Sequence, residues 1–445
     1  MSRHVKVWGA VICALTVLAT GACSGEPATV RPGASASGAP AVPGREAFDP
    51  PTKFDTGAGV DLPIEGAASV GVDPDYPVAL HGTTAFTLDD DRLSASDTVT
   101  GETTVVTPAG PEGGDGIVTS DSLQEPPVVA DVDGAFLALA GFGFARPAVG
   151  TEQGGSVIQL LAVDAVSGRL AWTLDIVPPE GYATDAVVGG VIVKGAVGGT
   201  LILAATSEDY GGDQDLFAVD LRARQVVWQK PDTAAQFLSG DLVVVSFSQD
   251  PDVLTLAVGV DSLTAFAVAD GGERWKLDEK EPGDYDEVAY GYSVMAAGPA
   301  RIYVTRDDPF EHEDLVRAFD PATGEVLETD KEEIRRGCVY DGQAVVICGI
   351  TAMDDFEYSL TAFDAETWEP LWSLPDDDTD RVAPGVTTAW HGAVYGRTDN
   401  GSVVLDGRTG ADLETRPGLA PRVVNEYVGV GTGELGQRLA CPAVG

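Results

Sequence analysis

The sequence predicts an all-β protein built from seven repeated four-stranded units, and three observations predict it. A short motif recurs in fixed register: a small apolar residue, Asp two positions on, Gly four residues after the Asp and Trp eight after it, as in Ala162, Asp164, Gly168 and Trp172. Its copies lie roughly 40 to 65 residues apart, the spacing of units that bury their faces only against neighbours. Between copies the chain reads as short β-rich runs broken by turn signals, such as Leu242–Val245 and Leu263–Ala267, with no long 3.6-residue period.

The chain begins with a targeting pattern. Arg3 and Lys6 form a positive region, Val7–Leu18 is apolar but too short to span a bilayer, and Thr20-Gly21-Ala22-Cys23 follows. This resembles a bacterial lipoprotein signal occupying residues 1–22, with Thr20 where Leu is usual. The resemblance implies that Cys23 is the lipidated first residue of the mature chain; an ordinary signal peptide cut nearby is the alternative. Residues 23–52 are rich in Pro, Gly, Ala and Ser and read as a flexible tether, reaching about 30 Å as a coil. No other stretch is long and apolar enough to be a transmembrane helix.

Residues 53–445 hold the repeats. A degenerate first copy, Ala95, Asp97 and Gly101, has Val105 in the Trp slot. Then come Asp164 with Gly168 and Trp172, Asp220 with Trp228, Ala267 with Gly271 and Trp275, Asp320 with Gly324, Asp364 with Trp372, and Asp406 with Gly410. Glu328 and Glu414 take the Trp slot in two of them. The chemistry suits a hairpin: the carboxylate accepts backbone N–H groups two or three residues on, and Gly supplies a positive φ. The Trp then opens the outer strand, where its ring can wedge between neighbouring units. Radial repetition of this kind leaves only short sheet edges, as in a β-propeller. A further run, Arg422–Val430, reads as a strand that could join the first unit and close the ring.

Ala162 to Trp172, reading Ala-Val-Asp-Ala-Val-Ser-Gly-Arg-Leu-Ala-Trp, is similar to the repeat of the pyrroloquinoline-quinone-like β-propellers. The resemblance covers about residues 77–430. It implies a propeller fold and, by family, roles from quinone-dependent alcohol dehydrogenases and kinase sensor domains to outer-membrane assembly lipoproteins. The quinone enzymes hold their cofactor against adjacent cysteines and a calcium ion in eight blades. No two cysteines are adjacent here, so no cofactor is expected.

Composition narrows the function. Against 27 basic side chains stand 70 acidic ones, a net charge of −43, and a surface this acidic repels nucleic acid and anionic headgroups. Acidic groups such as Asp89-Asp90-Asp91, Asp213/Asp215 and Asp376-Asp377-Asp378 offer hard oxygens, but none has the spacing of a calcium loop; no metal is assigned. Cys338 and Cys348 flank a hairpin turning at Asp341-Gly342 and are expected to form a disulfide in an oxidising compartment, leaving Cys441 over. His81, His312 and His391 are scattered, and no nucleophile elbow or phosphate-cradling loop occurs, so no catalytic residue is assigned. The segments Ala145–Gly155, Tyr210–Asp215, Ser248–Thr255, Asp307–Asp314 and Ala352–Glu357 are expected to project from one face, carrying Tyr210, Phe310, Phe356 and Tyr358 beside Asp209, Glu311, Asp354 and Asp355. The expected protein is a monomeric, non-catalytic, extracytoplasmic lipoprotein that binds another envelope protein. The alternative is a sensor or receptor propeller for a small molecule, sugar or cation; an enzyme is the remaining one.

Overall fold

The computed structural model describes residues 42, 44–63, 77–89, 91–110, 117–118, 125–146, 148, 150–151, 154–182, 184–185, 188–207, 214–247, 262–278, 292–306, 315–330, 333–352, 358–376, 379–433 and 436–445. Cys23, the signal 1–22 and most of the tether fall outside them, as do His312, Asp90, Asp213, Asp377, Asp378 and the loop residues Asp209, Tyr210, Phe310, Glu311, Asp354, Asp355 and Phe356.

The four-stranded antiparallel unit recurs eight times, not seven. Blade 1 runs Val78–His81, Thr84–Asp89, Arg92–Asp97, Thr103–Val106, and blade 2 Val128–Val132, Ala135–Arg146, Gly155–Asp164, Leu170–Ile176. Blade 3 is Val188–Val197, Thr200–Ser207, Gln214–Asp220, Gln225–Lys230, and blade 4 Ala234–Ser239, Leu242–Phe247, Ser262–Ala267, Glu273–Asp278. Blade 5 is Tyr292–Ala297, Arg301–Arg306, Leu315–Phe319, Val326–Asp330; blade 6 Glu333–Tyr340, Val345–Ala352, Tyr358–Asp364, Pro370–Leu374; blade 7 Gly385–Trp390, Ala393–Thr398, Gly401–Asp406, Asp412–Glu414. Blade 2 gains an extra short strand, Ile117–Val118, on Gly143 and Phe144.

Blade 8 is the unit the motif did not reveal. Val423–Val424, Val428–Thr432 and Arg438–Pro442 supply three strands, and Val60–Asp61 from the other end of the domain supplies the fourth, pairing with Leu439 and Ala440. Its third and fourth strands are not consecutive in the chain, so no turn joins them to carry the Asp and Gly. The run Arg422–Val430 therefore begins a blade of its own rather than extending the first. First strands of successive blades touch one another, blade 8 touching blade 1, so the ring is closed.

Apolar residues on the second and third strands fill the spaces between sheets. Leu201, Leu203 and Phe217 of blade 3 pack with Leu139, Ile158 and Leu160 of blade 2, and the pattern repeats around the ring. In blades 2 to 7 the Asp turns and the first-to-second turns lie at one end of each sheet, and the second-to-third connections leave from the other. All five projecting segments named above are second-to-third connections, so their strand ends share one face.

Candidate functional site

The motif residues build the joints between blades. Asp164 Oδ1 accepts from the Ser167 N–H, Asp220 from Arg222 and Ala223, Asp320 from Ala322 and Thr323, Asp364 from Glu366 and Thr367, and Asp406 from Arg408 and Thr409. The Ser167 hydroxyl, with the backbone N–H groups of Ser167 and Val166, holds the Asp164 carboxyl below its ordinary range. The residue four further on closes the turn with positive φ in all seven copies, at Gly101, Gly168, Gly271, Gly324 and Gly410 and also at Arg224 and Trp368. The Trp side chain then reaches the next blade's turn. Trp228, Trp275 and Trp372 donate their indole N–H to the carbonyls of Val268, Pro321 and Gly407 at 2.8, 2.9 and 2.7 Å. The same rings cover Gly271, Gly324 and Gly410, where an added Cβ would lie 2.8 Å from ring atoms. Trp172 meets Arg224 instead, the guanidinium carbon 5.2 Å from its ring centre.

The joints of blades 5 and 1 are among those that depart from this scheme. Blade 5 has Glu328 in the Trp slot, and the aromatic comes from the receiving side: Trp368 stacks on Phe363 under the guanidinium of Arg301, which pairs with Glu328 at 2.8 Å. Its indole N–H is buried without an acceptor. In blade 1 the residue opposite Ala95 is Thr104 rather than the expected Val105, because the bulge after the turn that the other six motif-bearing blades share is missing.

Other polar residues that the motif did not flag also serve the ring. Asp341 Oδ1 accepts from the N–H groups of Gln343, Ala344 and Val345, and its Oδ2 accepts from Gly392 in blade 7. Asn425 donates to the Gly82 carbonyl of blade 1 and accepts from Tyr427 and Val428. Asp215, fully buried, accepts from the Thr184 N–H and hydroxyl and from Asp232. Asp89 pairs with Arg92, and Asp376 accepts from the Thr379 hydroxyl. His81 is buried against Phe136, and burial lowers its pKa while Asp164 raises it. Cys338 and Cys348 are joined by a disulfide across adjacent strands, and Cys441 is a buried thiol whose pKa burial pushes up to about 12.

Where blade 8 meets blades 7 and 1, a cavity lies beside titratable groups. Residues 44–55, which include the last residues of the segment read as a flexible tether, lie as a strap across it. Phe48 donates to the Glu426 carbonyl, Thr52 and Lys53 to Gly445, Phe54 to Pro417 and Asp55 to Pro442, while Tyr395 Oη donates to Pro51. Under the strap, Asp49 Oδ1 lies 2.5 Å from His391 Nδ1, whose ring stacks on Trp390. Glu426 is close by, its pKa raised by burial and by Asp49. Beside the strap is a half-open cleft of about 310 Å³ bordered by Arg45, Glu46, Phe48, Thr83, Tyr427 and Val444. Thr98 Oγ1 donates to the Thr83 carbonyl and Tyr427 Oη accepts from the Val42 N–H, and Arg45 and Glu46 bring one charge of each sign to its border. These groups can bind a polar molecule; the His391 ring is too enclosed, at 6% side-chain exposure, to meet a substrate. Composition gave no sign of this seam, because its parts lie more than 340 residues apart in the chain.

Residues 259–438 match the family model described as outer membrane protein assembly factor BamB. No curated protein is significantly similar to the chain. Among solved structures, the quinohemoprotein alcohol dehydrogenase ADHIIG of Pseudomonas putida HK5 is similar at 12% identity and a TM-score of 0.45, with 83% of this chain and 74% of that one covered. A europium-containing methanol dehydrogenase is similar at 12% and 0.41, covering 82% and 81%, and Sqt1 of Saccharomyces cerevisiae at 11% and 0.43, covering 90% and 98%. Likenesses this distant carry no argument about activity. The chain is thus a β-propeller, and its residues 259–438 are what is similar to that assembly-factor family.

Proposed function

We propose that this chain is a non-catalytic scaffold of the cell envelope, anchored through a lipid on Cys23, whose propeller holds a protein partner. The observation that supports it most is where the buried polar chemistry goes. Asp215, Asp341 and Asn425 are engaged by backbone groups that build turns and join blades, so these groups serve rigidity, as do the half-buried turn carboxylates. The assembly-factor description of the matching family model agrees with such a role. The strap docks on the face of the first-to-second turns, opposite the strand ends that lead into the second-to-third connections of blades 2 to 6, which suits a chain tethered from the strap's side.

Affinity capture of the full chain from its own envelope in mild detergent tests this, with Cys23→Ala as control. A stoichiometric protein partner that is lost with the anchor supports the reading. An empty capture, or a Cys23→Ala chain that stays in the membrane fraction, sinks it.

The seam cleft favours a second reading, a receptor for a small polar ligand held between Arg45 and Glu46. Thermal-shift screening decides, since a ligand bound only by the folded state raises the melting temperature by mass action. Arg45→Ala is expected to abolish that rise.

A further inference from the structure

Sheet edges in this ring are guarded, with one exception. The fourth strand of each of blades 2 to 7 carries a bulge against the third. Each also carries a charge or a proline: Asp175, Lys230, Glu273, Glu328, Pro370 and Asp412. Bulges, charges and prolines are the devices that stop an edge from pairing with another chain. Blade 8 ends in a strand of only two residues, Val60–Asp61. Blade 1 has none of these devices. Its fourth strand, Thr103-Thr104-Val105-Val106, is uncharged, β-branched throughout and paired in unbroken register.

Among the described residues no strand pairs with its outer side. Asp97 donates to the Glu102 carbonyl, which sets the ladder so that Thr104 and Val106 bond inward and the N–H and C=O groups of Thr103 and Val105 face outward. Ser96 and Thr103 hydroxyls meet at 2.9 Å, as expected for the closer, non-bonded pair. Val105 is 52% exposed, while its neighbour Thr104 faces the blade 2 turn at Gly168. The molecule already accepts added strands elsewhere: Val60–Asp61 joins blade 8 from the distant N-terminal side, and Ile117–Val118 joins blade 2.

We propose that the blade 1 edge, Thr103–Val106, is a docking edge for an extended, positively charged segment of a partner protein, which pairs with it as a fifth strand. Main-chain bonds to Thr103 and Val105 give affinity in this mode, and the exposed Val105 side chain favours an apolar residue on the added strand. Charge selects the partner. A second copy brings the same net charge of −43 and is repelled, whereas a basic segment is attracted. The inference deepens the scaffold reading and rests on it.

The test uses the full chain and a labelled synthetic peptide of alternating valine and threonine flanked by lysines, with a glutamate-flanked peptide as control. The lysine peptide is expected to bind by fluorescence anisotropy and to slow hydrogen exchange at the amides of Thr103 and Val105; the glutamate peptide is expected not to. Val105→Pro removes an outward N–H and no ladder bond, so it should weaken binding at least about tenfold with an unchanged melting temperature. Should that variant fail to fold, Val105→Lys should weaken the lysine peptide comparably, while Leu327→Lys on the guarded edge of blade 5 leaves it unchanged. No binding to the wild-type chain, indifference to both Val105 variants, or protection elsewhere overturns the proposal. So does a concentration-dependent dimer lost in Val105→Pro, which would make the occupant a second copy. An inert edge in a chain that still captures envelope partners moves the docking surface elsewhere and leaves the scaffold reading standing.

Discussion

At the scale of single residues, the positive-φ position of the Asp turn does two things at once. It closes the hairpin, and it offers a Cβ-free platform for the Trp of the preceding blade. Gly271→Ala therefore meets both penalties, a φ of +66° and a Cβ 2.8 Å from the Trp228 ring, and should cost about 2–4 kcal/mol by denaturant unfolding. The two kinds of wedge Trp should also separate. Trp275 donates to Pro321 whereas the Trp368 N–H has no acceptor. Trp275→Phe leaves a carbonyl unpaired and is expected to cost about 1–3 kcal/mol; Trp368→Phe removes an unsatisfied donor and should cost less. Equal losses in the two variants would refute the distinction. The motif residues Asp, Gly and Trp were legible as a hairpin and a wedge because each acts within a few residues or on the adjacent unit. Trp368 was not, since it serves in a slot where Gly is the rule.

Between elements, the strands of each blade pair with their chain neighbours, which is why the hairpin at Asp341-Gly342 and the facing cysteines could be read from spacing. Closing a ten-residue loop, the Cys338–Cys348 disulfide is expected to add about 2–3 kcal/mol; reduction should lower the melting temperature, and Cys338→Ser should make the chain insensitive to reductant. His81 adds a pH dependence between blades 1 and 2. Burial lowers its folded pKa below the ordinary 6.5, so the unfolded chain binds the proton more readily. The stability it protects is present above about pH 6.5 and is lost as pH falls below it. Melting scans from pH 7.5 down to 5.5 should show a steeper fall for the wild type than for His81→Phe, whose ring preserves the contact with Phe136; parallel curves would refute it.

The whole molecule depends on its closure. Strap residues 44–55 and strand Val60–Asp61 bind to the C-terminal strands by backbone bonds to Pro417, Glu426, Pro442 and Gly445. Deleting residues 44–61 should cost on the order of 5 kcal/mol and broaden the melting transition, because blade 8 loses its fourth strand and the backbone bonds of the strap. A deletion chain that melts like the full one would show that the closure is dispensable. The acidic surface acts at this scale too, and raising salt should weaken any basic partner by screening.

By itself the sequence determined the fold class, the repeat register and the chemistry of the inter-blade joints, because those rest on contacts that recur at fixed short spacing. It also determined the acidic net charge. Tertiary structure alone decided that there are eight blades, that Thr104 and not Val105 faces Ala95, that the tether's end is a docked strap, and that Asp49 meets His391. The physical reason is common to all four. Blade 8 is assembled from both ends of the domain, with no third-to-fourth turn in which a motif could be written. The strap's partners lie hundreds of residues away, and a strand register is fixed by the neighbouring strand's ladder rather than by local spacing.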